Sequence, residues 1–418
     1  MNCFAPKFLL RRKRTLMILV FLSVCALTWT NCMDKKKELQ KPMIAKNGER
    51  FAGNEACQSC HKNIYDSFLH TAHFHTSEEA NRSTIKEGKG KDINGFNYSY
   101  IDRVQIEQHA DSFYQVAYHN GSPGDMYRMD FTIGSGTRGQ TYLSLQKNNL
   151  FQLPVSYFTA ADALANSPGF PAGIPKFNRI IYSRCLECHT TYVEHIGQQK
   201  DSNEKLQLFL GVSCERCHGP AGRHVDYHTQ NPGKTKGEFI IDPNTFSRVQ
   251  RLDLCALCHS GTRQPTKPAF SYMAGDMLSQ FFQPVDTTVM VNNVDVHVNQ
   301  YGLLTKSKCF LHSEMLSCQT CHNTHKQERG NLALFSQRCM NCHKENDCHF
   351  REANPTLSSV FASNCIDCHM PVRDSKILSV QLEGSEKESP AKIRSHFIAV
   401  YPGDAKRIIN LMNKSATR

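Results

Sequence analysis

Seven copies of the motif Cys-x-x-Cys-His decide what this chain can fold into. They are Cys57/Cys60/His61, Cys185/Cys188/His189, Cys214/Cys217/His218, Cys255/Cys258/His259, Cys318/Cys321/His322, Cys339/Cys342/His343 and Cys365/Cys368/His369. The spacing is the attachment signature of c-type haem: two thioethers hold the macrocycle, and the adjacent histidine is the proximal iron ligand. A zinc site combines two ligand pairs and has no need of a histidine after every second cysteine. A thiol redox pair would not recur seven times. Three motifs fall between Cys318 and His369, leaving few apolar side chains for an ordinary core. That stretch reads as polypeptide wrapped around cofactor, and seven covalently attached haem c groups are expected.

Composition agrees. Nineteen cysteines and twenty histidines are far too many for a cytosolic enzyme of 418 residues. The one tryptophan, Trp29, lies in an export segment. Apolar content is modest, so buried apolar surface has to come from the macrocycles. The formal charge is +11, from 49 basic and 38 acidic residues. Removing Lys7, Arg11, Arg12, Lys13 and Arg14 leaves 44 against 38, or +6. Two propionates per haem bring the mature protein near neutral or acidic, which argues against nucleic-acid binding. The remaining Lys and Arg form a solvated surface with some propionate partners.

Residues 1–31 have export form. A basic start (11–14) precedes an apolar run from Leu16 to Trp29. The run is shorter than the roughly twenty residues of a spanning helix. It ends at Asn31-Cys32 and resembles a bacterial lipoprotein signal, with Cys32 the lipidation candidate, although Asn31 replaces the usual small residue. Cys3 and Cys25 belong to the signal. The main body is expected outside the cytoplasm, in the periplasm or at the cell surface, where c-type haem attachment takes place.

The expected fold class is a multihaem cytochrome c: mainly α-helical and irregular chain around haems, with a small antiparallel β domain near residues 94–160. Residues 32–85 form the first haem segment. Residues 86–166 carry no attachment motif and alternate in short aromatic-rich runs divided by turn signals such as Asn120-Gly121 and Asn148-Asn149. Ile133-Gly134-Ser135-Gly136 reads as a hairpin, being too short for a phosphate loop. Residues 167–265 hold three motifs, and residues 266–375 a linker and three more. Residues 376–418 form a tail with a mixed polar start and a basic helix at 404–414.

Seven histidines are proximal and thirteen remain. Those placed as distal iron ligands are His73, His224, His297, His325 and His396. His70, His75, His195, His228, His312 and His349 compete for two further positions, while His109 and His119 read as ordinary sheet residues. The Cys185 motif is followed by no firm distal pattern, so any open iron position is to be sought there first, beside Tyr192, Glu194 and His195, which otherwise read as surface residues of a helix. The stretch from Cys318 to His369 reads as coordinatively closed. Cys309 and Cys348 bracket the fifth and sixth motifs. A disulfide is expected between them, with two separate buried thiols as the alternative.

The sequence resembles the cytochrome c-552/c-554 type of multihaem cytochrome. The likeness rests on Phe51-x-Gly53 and Tyr65, Thr71 and His73 around the first motif. It rests also on Cys217-His218-Gly219-Pro220 with His224, and on the run from Ser307-x-Cys309-Phe310 to His325. It is closer to a heptahaem branch of exported bacterial cytochromes, through Ile133–Gly136, Thr141–Leu145, Leu150–Tyr157 and Cys368-His369-Met370-Pro371. The resemblance covers most of residues 51–402. It implies closely packed, mostly six-coordinate haems carrying electrons, in a family that also contains reductases and oxidases of nitrogen and sulfur compounds.

Three functions compete. The first is an electron carrier serving redox protein partners, either other cytochromes or a membrane quinol-oxidising complex, anchored to a membrane through lipid. The second is a reductase of nitrite, hydroxylamine or a sulfur oxyanion. Related nitrite reductases replace one motif histidine by lysine, and all seven motifs here end in histidine. The third is a docking module built on the β segment.

Overall fold

Period-2 patterning and hairpin turns dominate the middle of the chain, and there the backbone pairs into two antiparallel sheets. The computed structural model describes residues 42–89, 94–194, 196, 206–284, 290–344, 348, 350 and 353–416. The export segment with Cys3, Cys25 and Trp29, the lipidation candidate Cys32, and His195 and His349 lie outside the described residues. Among the described residues no helix is long and apolar enough to cross a membrane.

The smaller sheet is a meander of Gly95–Asn97, Asp102–His109, Ser112–His119 and Ser122–Met129. Its last turn is Asn120-Gly121, both at positive φ (50° and 77°), the conformation of a tight two-residue hairpin. The larger sheet joins nine strands among the described residues. Phe131–Ile133 pairs with Gly139–Gln146 across the Gly134–Gly136 turn, which is a hairpin. Gly139–Gln146 pairs in turn with Asn149–Gln152 and with Val155–Phe158. The two sheets bury Phe96, Val104, Phe113 and Met129 against Tyr142, Leu153, Val155 and Leu164. Gln115, fully buried, crosses between them. Its Nε2 donates to Val155 O at 2.7 Å and its Oε1 accepts from Val155 N at 3.0 Å.

Two expectations are corrected here. The chain is about 31% helix and 25% strand, a mixed fold rather than a mainly helical one. β structure also extends well beyond residues 94–160. Ala163–Asn166 pairs with Val372–Leu382, which pairs with Glu388–Arg394. Val380, Ala391 and Ile393 of that hairpin join Phe158, Ala165, Val296 and Leu303 in a second core. The helical share falls because several motifs form only one turn of helix, as at Cys214–His218, Cys318–Cys321 and Cys365–His369. The C-terminal hairpin escapes a pattern search because its register shifts between Asp374 and Ser379, which breaks the alternation. The tail helix spans Pro402–Ala416.

Candidate functional site

The motifs are held by their own intervening residues. Glu215, inside the third motif, is 3% exposed. Its carboxylate accepts the backbone N–H groups of Ala52 and Gly53, each at 2.9 Å, and of Ala221 at 2.7 Å. Gly222 completes this junction: a Cβ there would stand 2.6 Å from Arg50 O. Glu187, inside the second motif, accepts Phe270 N at 2.7 Å and pairs with Arg184. Asp367, inside the seventh, pairs with Arg394 at 2.7 Å. The fourth motif instead buries Ala256 and Leu257 against Tyr272, Leu278 and Phe281. Acidic residues between the cysteines of CLECH, CERCH and CIDCH carried this signal, and reading the motifs as attachment sites alone missed it.

Five complete motifs and Cys339 of the sixth line one continuous cavity of about 2530 Å³. Protein interiors hold few voids larger than a water molecule, and single-ligand sites are about 300–1,000 Å³. A space this large fits several macrocycles. His73, His224, His297, His325 and His396 all line it.

Four of these five lie opposite a motif histidine. His224 faces His61 with ring centroids 6.4 Å apart, and His325 faces His218 at 6.1 Å. His396 faces His322 at 6.0 Å, and His73 faces His259 at 6.3 Å. His297 is the histidine that bears electrostatically on His189. Two metal–imidazole bonds of about 2 Å, plus about 1.1 Å from each ring nitrogen to its centroid, span roughly 6 Å. The four measured pairs therefore have the separation of two axial ligands on one iron.

The imidazoles are in the form that binds metal. Burial pushes His189, His259 and His396 down to about 4, so they are neutral at physiological pH. It lowers His73, His297, His322 and His325 as well. His218 Nδ1 donates to Ile241 O at 2.9 Å, His224 Nδ1 to Glu238 O at 2.7 Å, and His369 Nδ1 to Ala399 O at 2.9 Å. A carbonyl can only accept, so each bond fixes the proton on Nδ1 and leaves the Nε2 lone pair for iron. Buried groups without a hydrogen-bond partner include His189 Nδ1, His396 Nδ1, Arg216 Nε and Arg263 Nε. All four residues line the cavity. The residues present fit covalently held haem with acidic substituents to satisfy such donors. Thiols meet in twos, and among the described residues no group of three or more His, Cys, Asp or Glu is clustered to hold a metal ion by itself.

Other histidines are otherwise engaged. His75 pairs with Glu78 at 3.0 Å, His109 with Glu107 at 3.0 Å and His119 with Asp102 at 2.8 Å. His228 Nδ1 faces Lys234 O at 3.2 Å.

His297 lies within electrostatic reach of His189 and of His259, both far from it in sequence. Among the described residues no ring contact pairs a histidine with His343 or His369. One site expectation is corrected: the disulfide is absent, and Cys309 and Cys348 are separate thiols. Cys309 lies within electrostatic reach of Cys321 and Cys342, whereas Cys348 bears on Cys368. Bracketing in sequence did not bring their Cβ atoms together.

The link between the fifth and sixth motifs gives a pH prediction. Arg338 grips Glu328 through two bonds of 2.6 and 2.7 Å and holds its carboxyl down at about 2, from an ordinary 4.5. A lowered folded value means that the pair contributes fully above about pH 4.5 and that this contribution is lost as pH falls through 2. Glu328→Gln is expected to cost about 1 kcal/mol at pH 6. The gap from wild type should close between pH 4.5 and 2 in thermal melts.

The family model described as cytochrome c554 and c-prime matches residues 56–115 and 175–219. A curated relative, the multiheme cytochrome MtrA of Shewanella baltica (strain OS185), is 24% identical over 213 residues. The match covers 46% of this chain, and the chain spans 54% of the relative's length. A solved structure, the outer cell wall cytochrome OcwA, is similar with a TM-score of 0.49 at 15% identity, over 85% of this chain and 81% of that one. Together with the attachment motifs, the sequence matches support a multihaem c-type cytochrome.

Proposed function

We propose that the chain is a seven-haem electron carrier working outside the cytoplasm, anchored through a lipid on Cys32. The observation that carries this reading is the set of four facing histidine pairs around one cavity. When bound, the haems would supply one-electron chemistry, and an iron held between two imidazoles would keep no position for a substrate. The protein's part is to hold four pairs of those imidazoles facing each other along the cavity, so that oxidation and reduction need little rearrangement. The fourteen motif cysteines fix the macrocycles, and the seven motif histidines are the proximal ligands. The partners would be other cytochromes or a membrane quinol-oxidising complex.

Film voltammetry of the holoprotein tests this reading against a reductase. Reversible waves unchanged by nitrite, hydroxylamine or sulfite are expected. A reductive current that grows with any of them would make the chain an enzyme.

A further inference from the structure

We infer that the segment Glu238–Ile241 is a clasp shared by two iron sites, and that Phe239 is the positioning residue that holds it. This rests on the haem-carrier reading and names what sets two of its potentials together.

Two imidazoles from different sites end on this one segment. His224 Nδ1 donates to Glu238 O at 2.7 Å, and His218 Nδ1 donates to Ile241 O at 2.9 Å. His224 faces His61 of the first motif, whereas His218 belongs to the third and faces His325. Ile241 is held twice, since its own N–H donates to His218 O at 3.1 Å. Its side chain also lies against Gly219, where a Cβ would stand 2.9 Å from Ile241 Cδ1. At the other end of the segment, Glu238 N donates to His228 Nε2 at 3.5 Å.

Between the two acceptors the backbone turns through Phe239, at φ 56°. This is the left-handed region, which a residue with a Cβ enters at a cost and keeps only where its surroundings hold it there. The ring does not fill a core, because Phe239 is 47% exposed. It is gripped instead from the helix Gly222–Gln230. The Arg223 guanidinium lies over the ring at 4.3 Å, and the Tyr227 ring meets it edge-on at 5.4 Å. His224 stands between those two residues on the same helix. The grip on Phe239 therefore closes the segment onto the element that presents an imidazole to the first site, while the far end of the segment holds the imidazole of the third.

A hydrogen bond from Nδ1 to a carbonyl makes an imidazole a stronger donor to iron. A stronger donor favours the ferric state and lowers the potential. One segment thus depresses two potentials, and the first and third irons are tuned as a pair. The two sites also meet at Glu215, which lies inside the third motif and accepts the N–H groups of Ala52 and Gly53 just ahead of the first.

The test is a haem-resolved redox titration by NMR on the intact holoprotein. His224→Met and His325→Met identify the signals of the first and third sites. Phe239→Ala is expected to raise those two potentials and leave the others in place. Phe239→Tyr, which keeps the ring, should restore the wild-type values. The sign separates tuning from simple exposure, because water admitted to an iron site stabilises the ferric charge and lowers its potential. Unchanged potentials, a fall, or a rise at only one of the two sites overturns the shared clasp. Should Phe239→Ala fail to take up its haems, Arg223→Gln loosens the grip from the helix side and must raise the same two potentials; no rise overturns the clasp. Denaturing mass spectrometry precedes the titration. A chain without covalent haem overturns the carrier reading itself, before any question of tuning.

Discussion

Replacing Glu215 by alanine is expected to destabilise the protein by about 3–5 kcal/mol. Three backbone N–H groups, from Ala52, Gly53 and Ala221, end on this one carboxylate. Alanine would leave all three without an acceptor at a place that water does not reach. A buried group that loses its partner costs about 1–3 kcal/mol. Relief from burying a charge offsets part of the sum, since burial already pushes the Glu215 carboxyl up. Glutamine separates the two effects. Its one oxygen can keep the bonds to Ala52 and Ala221, both made by Oε1, while its amide nitrogen would face the Gly53 N–H. About half the loss is expected for Glu215→Gln. The readout is the denaturation midpoint, followed at the Soret band and in the far ultraviolet. A Glu215→Ala midpoint equal to wild type would show that the junction of residues 50–53 with the third motif contributes little.

The second large effect is spectroscopic. His297→Ala is expected to convert one site from low spin to high spin and to leave the others unchanged. His297 lies within electrostatic reach of His189, whose imidazole burial holds down at about 4, and both line the cavity. The control is His109→Ala, which removes a histidine bonded to Glu107 on the exposed sheet and should change no haem signal. A low-spin spectrum unaltered by His297→Ala would remove His297 from the ligand set and return the Cys185 motif to the position of open site.

The parts of this site written in local sequence were readable. A Cys-x-x-Cys-His motif needs only five consecutive residues, and His73, His224 and His325 follow their motifs closely enough to be picked from the chain. Pairing is a different matter. His224 follows the third motif but faces His61 of the first, and His325 follows the fifth but faces His218 of the third. Nothing local encodes those exchanges, which depend on how the one-turn helices are stapled by Glu187, Glu215 and Asp367. The Cys309–Cys348 bridge failed for the same reason: proximity in sequence to one segment placed neither thiol in space. In the fold, tight turns such as Asn120-Gly121 and Gly134–Gly136 marked the β meander. The hairpin of Val372–Leu382 and Glu388–Arg394 stayed hidden behind a bulge and a polar composition, because its buried face is completed by Phe158 and Leu303 from elsewhere.

Low-temperature electron paramagnetic resonance of the fully oxidised holoprotein tests the central claim most directly, by counting the irons held between two histidines. Four facing pairs predict at least four low-spin ferric sites. A spectrum in which high-spin iron makes up the majority would contradict the paired-histidine account and point to substrate chemistry instead.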